Sequence, residues 1–171
     1  RWRRQYFTDL VREDVLEFSR IQEVRTMRLL VELLRGRVGS PLSIASLARD
    51  LHAAPNTVGK YLDILEALYV IFLVRPYHKN VARAILKEPK VYFFDTGYVL
   101  GDEGIKWENA CAAMLLKQSN YQQDVLGMDS SLHYMRTKDG AEVDFVLCEA
   151  GEPSFLIECK HADNRLSPAL V

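Results

Sequence analysis

The C-terminal part of the chain contains the run Gly140-Ala141-Glu142-Val143-Asp144-Phe145-Val146-Leu147 and, after a short linker, the run Phe155-Leu156-Ile157-Glu158-Cys159-Lys160. Each run alternates polar with apolar residues, which is the period of a β-strand with one wet and one buried face. The linker, residues 148–154, contains glycine and proline and is short enough for a hairpin. The pattern therefore predicts two strands that pair with each other.

Three charged side chains are predicted to project from one face of this hairpin: Asp144 from the first strand, and Glu158 and Lys160 from the second. Mg²⁺ takes oxygen ligands, usually one or two carboxylates, with waters and substrate phosphate completing its coordination. An ammonium nearby can hold the scissile phosphate or orient the attacking water. These residue types predict a metal-dependent phosphodiesterase site in which Asp144 and Glu158 bind Mg²⁺. The alternative is a surface hairpin whose charged side chains only face water.

A glutamate on an upstream helix adds to this set. Glu108 lies in the sequence Trp107-Glu108-Asn109-Ala110, within a helix predicted over residues 105–118. A helix glutamate, a strand aspartate and an E-x-K strand in this order resemble the PD-(D/E)xK nuclease superfamily, in which they line one metal site. The resemblance implies that Glu108, Asp144 and Glu158 are ligands and that Lys160 is the catalytic lysine. The structural alternative for Glu108 is a first-turn carboxylate that the helix dipole favours.

Motifs spread along the chain extend the resemblance. They are Thr57-Val58-Gly59-Lys60-Tyr61-Leu62, Leu65-Glu66, Pro89-Lys90-Val91-Tyr92-Phe93-Phe94-Asp95-Thr96-Gly97, and the run from Gly140 to Phe145. In this order they resemble the C-terminal region of a group of prokaryotic AAA+ ATPases, long described as a domain of unknown function. The likeness covers roughly Tyr6 to Lys160 and implies that a nucleotide-binding ATPase domain precedes this region.

The chain itself contains no G-x-x-x-x-G-K-[ST] motif. ATP is therefore expected only in the N-terminal ATPase domain that the resemblance implies and that this sequence lacks. We expect the chain to be a fragment of a longer protein, with that ATPase domain as its intramolecular partner. Any oligomeric assembly would come from the same missing part.

Composition limits the class of protein. The 171 residues carry a formal net charge of −1, with 49% hydrophobic and 26% charged residues, which is typical of a soluble globular protein. A near-neutral charge argues against a strongly basic nucleic-acid module, so DNA contacts must come from local patches. No apolar run of about 18 residues is present, and the three cysteines show no metal-ligand spacing. These features predict a cytoplasmic protein that does not span a membrane.

The N-terminal half is predicted to be mostly helical. Residues 1–25 have an amphipathic helical pattern, which we interpret as the tail of the ATPase lid. Residues 26–95 contain three helical patterns followed by β-like segments at 70–74 and 91–94. A short turn separates the second and third helices, so this part is predicted to be a winged helix-turn-helix. Residues 96–171 would then form the nuclease-like domain, truncated at its end.

The third helix of this domain carries polar residues where a recognition helix needs them. Asn56, Thr57 and Lys60 lie near its N-terminus and are predicted to reach base edges in DNA. Between the two β-like segments lies the predicted wing, whose basic residues would bind phosphates: Arg75, His78, Lys79, Arg83, Lys87 and Lys90. Lys79 and Arg83 are the wing residues that we assign to DNA binding. Asp63 and Glu66 on the same helix favour the alternative, a protein-contact role.

The predicted fold class is therefore α+β, with a winged helix-turn-helix domain followed by a partial PD-(D/E)xK nuclease-like α/β domain. The first functional hypothesis is a C-terminal fragment of an AAA+ ATPase in which the winged helix brings DNA to a Mg²⁺-dependent nuclease-like site. The second is a non-catalytic module of the ATPase that binds DNA or protein. The third is a transcriptional regulator built on the winged helix.

Overall fold

The computed structural model describes residues 5–6, 8–9, 24–78, 87–136 and 142–160. Within these ranges the chain is a mixed α+β structure with four α-helices and one five-stranded sheet. The helices are α1 (Val24–Arg35), α2 (Ile44–Asp50), α3 (Pro55–Ala67) and α4 (Glu103–Asp124); the strands are β1 (Ile71–Pro76), β2 (Lys90–Phe93), β3 (Ser130–Arg136), β4 (Glu142–Glu149) and β5 (Glu152–Ile157). No helix among the described residues is long and apolar enough to cross a membrane.

The first three helices form where the sequence predicts them. The side chain of Ser43 caps α2 by accepting a hydrogen bond from the amide of Ser46, at 3.4 Å. Pro55 opens α3, where its missing N–H costs nothing. The apolar faces of α1 and α3 are buried in one core cluster that also includes side chains from the sheet. Most of the predicted helix over residues 1–25 lies outside the described residues.

The sheet joins the two parts of the chain that the sequence suggested as separate domains. Its strand order is β2-β1-β3-β4-β5, with β1 and β3 parallel and the other neighbouring pairs antiparallel. The parallel pairing sets Arg75 opposite His133 and Pro76 opposite Tyr134. The strands that follow the first three helices therefore continue into the strands that carry the candidate site.

The hairpin at the end of the chain is tighter than predicted. The linker expected over residues 148–154 is wrong in length, because β4 continues to Glu149 and β5 begins at Glu152. The turn consists of Ala150 and Gly151, with φ angles of 51° and 79°, and positive φ at both central residues suits a two-residue hairpin. As a result, residues 158–160 follow the end of β5 instead of lying within it.

A β-bulge in β4 breaks the strict alternation that the sequence suggests. Where β3 contributes the single residue Tyr134, β4 contributes both Asp144 and Phe145. Phe145 packs against the ring of Tyr92 with centroids 5.5 Å apart, whereas Val143 belongs to a second apolar cluster. Val143 and Phe145 therefore lie on different faces of the sheet, although strict alternation would place them on the same face. Bulges change the direction of a side chain, and this one lies at the candidate aspartate.

Helix α4 is longer than the predicted span of 105–118. It begins at Glu103 after Asp102, whose carboxylate accepts a hydrogen bond from the amide of Ile105 at 3.0 Å, and it ends at Asp124. Glu108 therefore lies in the second turn of the helix, whereas the sequence placed it in the first. The helix dipole acts mainly within the first turn, so it does not account for a carboxylate at this position.

Candidate functional site

The carboxylates singled out by the sequence approach one another at one end of the sheet. Glu108 comes from α4 and Asp144 from the bulge of β4, while Glu158 follows β5. The β4–β5 ladder ends at the pair Phe145–Ile157, and Asp144 and Glu158 are the residues next to that pair on their two segments. The carboxylate of Asp144 accepts a hydrogen bond from the amide of Cys159 at 2.8 Å, which ties the two segments together.

Glu108 is the most constrained of these carboxylates. Its side chain is 20% exposed, and its Oε1 accepts a hydrogen bond from the hydroxyl of Tyr92 at 2.7 Å. Burial raises the pKa of Glu108 above its ordinary value, and the charges of Asp144 and Glu142 raise it further, while Tyr92 and Lys90 act in the opposite direction. These influences show that Glu108, Glu142 and Asp144 share one electrostatic environment.

A glycine closes one side of this environment. Gly39 has a φ of +74°, and a Cβ added there would lie 2.8 Å from Oε1 and 2.9 Å from Oε2 of Glu108. Its amide donates a hydrogen bond to the carbonyl of Val91 in β2, at 3.3 Å. The chain therefore passes over the carboxylate of Glu108 at a distance that only glycine permits.

Lys90 is part of the site, although the sequence assigned it to the basic wing. It begins β2 and is 1% exposed, with its ammonium 2.5 Å from Oε1 of Glu142 and 3.7 Å from Oε1 of Glu108. The ammonium also lies 5.3 Å from the centre of the Tyr134 ring. Lys90 is therefore buried and the assignment of this residue to the wing is wrong. In the sequence, a lysine at the end of a loop and a lysine at the buried start of a strand look the same.

Lys160 and Glu158 form an ion pair with each other. The ammonium of Lys160 lies 2.6 Å from Oε1 of Glu158, and the lysine side chain is 39% exposed. This hydrogen bond is the main cause that raises the pKa of Lys160, with a smaller contribution from the charge of Asp144. Lys160 is therefore within electrostatic reach of Asp144.

The donor set bears on which metal the site can accept. Among the described residues, no group of three or more His, Cys, Asp or Glu side chains is arranged to hold a metal ion. Mg²⁺ commonly binds through only one or two carboxylates, with waters filling the other positions. The charge of Asp144 raises the pKa of Glu108, so the two carboxylates are near enough to act on each other. A hydrated ion is the mode of binding consistent with such a pair, and a metal enclosed by protein ligands is not.

Asn109 was missed by the sequence reasoning, which considered only its neighbour Glu108. It is completely buried, and its side chain makes three hydrogen bonds. Its Oδ1 accepts from the amide of Phe93 at 2.8 Å, and its Nδ2 donates to the carbonyl of Phe93 at 2.9 Å and to Oγ1 of Thr96 at 3.0 Å. Asn109 thus pairs with the edge strand β2 as another strand would, and fixes the position of Tyr92 beside Glu108.

Two of the three cysteines border the carboxylates. All three described cysteines are free thiols, as expected. Burial raises the pKa of Cys159, and a hydrogen bond with Cys111 raises it further. Burial also raises the pKa of Cys148, to about 11. The thiols of Cys148 and Cys159 are therefore protonated at neutral pH and serve as packing groups.

The predicted DNA-contacting residues lie on a different element from the carboxylates. Asn56 and Lys60 are exposed near the start of α3, and Thr57 is half-buried. Lys79 and Arg83 lie outside the described residues. Of the other predicted wing cations, Lys87 is exposed and Arg75 is half-buried in β1.

Comparisons with known proteins place the chain in a family. The sequence model of the "Domain of unknown function (DUF8612)" matches residues 1–106, more than half of the chain, so the chain belongs to this family. A second model, "Domain of unknown function (DUF4143)", matches residues 103–169. The first match covers α1, α2 and α3 with strands β1 and β2, and the second covers α4 and the candidate carboxylates.

Among curated proteins the chain is similar to uncharacterized proteins of bacteria. Relatives from Mycobacterium bovis and Mycobacterium tuberculosis are each 28% identical over 166 residues, which cover 89% of this chain and 36% of the relative. A relative from Haemophilus influenzae is 20% identical over 157 residues, which cover 85% of this chain and 37% of the relative. The chain therefore spans somewhat more than a third of the length of these relatives. No solved structure matches it.

Proposed function

We propose that this chain is the DNA-handling part of a larger ATPase and that its carboxylates form a Mg²⁺-dependent, nuclease-like site. The observation that carries the proposal is the convergence of Glu108 and Asp144 beside the Glu158–Lys160 pair. Carboxylates and one lysine, here from a helix, a strand and the segment that follows β5, are the groups that hydrolysis of a phosphodiester needs.

In this proposal Asp144 and Glu108 hold the metal ion, with Glu158 as a third carboxylate beside Asp144. A bound Mg²⁺ would stabilise the negative charge on the scissile phosphate and lower the pKa of a water molecule bound to it. The ammonium of Lys160 supplies a second positive charge, which holds the phosphate or orients the attacking water. The hydrogen bond from Tyr92 to Glu108 keeps that carboxylate in one orientation during these steps.

The approach of DNA is assigned to α3. Asn56 and Lys60 are exposed near its N-terminal end, where a recognition helix reaches base edges, and Lys87 is an exposed cation at the base of the predicted wing. Because the net charge of the chain is −1, binding would depend on this local patch. The region between residues 26 and 95 would thus act as a winged helix that presents duplex DNA to the carboxylates.

A cleavage assay on the protein that contains this chain, with and without ATP, tests the proposal. The wild type should cut DNA in the presence of Mg²⁺ or Mn²⁺, and the Asp144→Ala variant should lose at least a hundredfold in rate. The matched control is Asp129→Ala, because Asp129 is an exposed aspartate just before β3. Equal cutting by the wild type and the Asp144 variant would reject the catalytic assignment.

A second candidate function is a non-catalytic module that binds DNA or protein for the ATPase. It is favoured by the ion pairs that already engage Glu142 and Glu158, at 2.5 Å and 2.6 Å, and by the absence of a three-ligand metal arrangement among the described residues. In this case the wild type would bind DNA but would cut it no faster than the Asp144 variant does.

A further inference from the structure

The two edges of the sheet differ in how they are covered. Strand β2 forms one edge, and all four of its residues are buried. The carbonyls on its outer side accept hydrogen bonds from other parts of the chain: Pro89 from the amide of Leu42 at 2.8 Å, Val91 from the amide of Gly39 at 3.3 Å, and Phe93 from the side chain of Asn109 at 2.9 Å. The backbone of this edge is therefore already engaged.

Strand β5 forms the other edge, and it is open. Residues 152–156 are exposed and Ile157 is half-buried, and among the described residues β4 is the only strand that pairs with β5. The side chains of Phe155 and Leu156 are 60% and 45% exposed. Successive side chains of a strand point to opposite faces of the sheet, so both faces of β5 are uncovered at this position.

The first half of β5 carries features that discourage pairing, and the second half does not. Sheet edges are commonly blunted by proline, by lysine or by a bulge. β5 contains Pro153 and, next to it, Ser154, which has no partner in the β4–β5 register. Residues 155–157 are all apolar and have neither feature. An edge of this kind is a site for the addition of a strand.

We propose that a further strand of the same, longer polypeptide pairs with the outer side of residues 155–157 and buries Phe155 and Leu156. The chain spans 36% of its mycobacterial relatives, which have ample polypeptide to supply a strand. The DUF4143 match continues to residue 169, so the matched domain extends past β5. A strand in the same polypeptide is present at an effective concentration of about millimolar, which favours it over a second copy.

The added strand would also hold the segment that follows β5. The β4–β5 ladder ends at the pair Phe145–Ile157, and beyond it the amide of Cys159 is bonded on one side, to the carboxylate of Asp144 at 2.8 Å. A strand on the outer side of residues 155–157 reaches residues 158–160 at its next positions. It would therefore act as a positioning element for the segment that carries the E-x-K residues. The pairing itself does not depend on the proposed chemistry.

Hydrogen exchange followed by mass spectrometry, on the protein that contains this chain, tests the pairing. In a free edge strand about half of the amides face water and exchange quickly, because only one side of the strand is hydrogen-bonded. With a strand on both sides, nearly all amides of β5 should exchange at least about a hundredfold more slowly than in an unstructured peptide. Rapid exchange of half of the β5 amides would overturn the inference. Protection that disappears on dilution would also overturn it, because the partner would then be a second copy.

A matched pair of substitutions gives an independent measurement in the same protein. Leu156→Lys should raise the opening equilibrium of β5 by about tenfold or more, because a lysine suits a free edge and not a position covered by a strand. Leu29→Lys replaces a leucine of similar exposure, 47%, in α1 and should leave the exchange of β5 unchanged. The exchange of peptides from α3 reports whether each variant folds. Equal exchange of β5 in the two variants would overturn the inference.

These measurements are separate from the test of the proposed function. They involve no metal ion and no cleavage, so a protein that does not cut DNA can still show a protected β5. A protein that cuts DNA with β5 exchanging as a free edge would overturn the added strand and leave the proposed function standing.

Discussion

The substitution Asn109→Leu should destabilise the protein strongly, although the two side chains have the same branching and the same number of heavy atoms. Asn109 satisfies both the amide and the carbonyl of Phe93, at 2.8 Å and 2.9 Å, and both residues are completely buried. A buried backbone group left without a partner costs about 1–3 kcal/mol. The loss of two partners therefore predicts a fall of about 2–6 kcal/mol in the free energy of unfolding, a large part of the ~5–15 kcal/mol typical of a domain.

Urea denaturation followed by circular dichroism measures this effect, and two further variants sharpen it. Asn120→Leu makes the same substitution at an exposed position of the same helix and should change the free energy of unfolding by less than about 0.5 kcal/mol. Asn109→Asp keeps the acceptor for the Phe93 amide but loses the donor to its carbonyl, so its deficit should shrink at low pH, where the carboxyl group can donate. An Asn109→Leu variant as stable as Asn120→Leu would show that the hydrogen bonds of Asn109 to Phe93 do not stabilise the fold.

Three other expectations follow from the same geometry. Gly39→Ala should lower the free energy of unfolding by about 1 kcal/mol or more, because φ is +74° and the new Cβ would meet the Glu108 carboxylate. The control Gly59→Ala, in α3, places its Cβ in open space and should be neutral or stabilising. Equal effects of the two substitutions in urea denaturation would contradict this expectation. Burial raises the pKa of Glu108 in the folded state, so the contribution of this carboxyl group to stability should fall as the pH rises above about 4.5. Glu108→Gln does not titrate, so its stability relative to the wild type should increase as the pH rises above that value. A relative stability that decreases with pH would have the wrong sign. The double variant Asn56→Ala, Lys60→Ala should weaken duplex DNA binding and reduce its dependence on salt in fluorescence anisotropy titrations, and unchanged binding would remove α3 from the DNA interface.

Local patterns predicted the elements of this chain well. The helix stop and start signals around Ser43 and Pro55 placed α2 and α3, since caps and proline act within one turn of the chain. Alternation between Glu142 and Ile157 placed two strands and paired them. The same pattern missed the bulge at Asp144, because an extra residue in a strand depends on the partner strand and leaves no mark in the alternation itself.

The site was predictable only in part, for reasons of burial. Glu108, Asp144, Glu158 and Lys160 became candidates because of their side-chain types and their order along the chain. The buried cation Lys90 could not be distinguished from a loop lysine, since its partner Glu142 lies 52 residues further along the chain and pairs with it only in the folded sheet. Long-range ion pairs of this kind are a property of the tertiary structure and not of any local window.

The convergence of Asp144 and Glu108 on one divalent cation is tested most directly by anomalous diffraction from Mn²⁺-soaked crystals of the wild type and of Asp144→Asn. We expect one peak in the wild type, bonded to a carboxylate oxygen of Asp144 and adjacent to Glu108, and no peak there in the variant. An empty position in wild-type crystals at saturating Mn²⁺, or an unchanged peak in the variant, would contradict it.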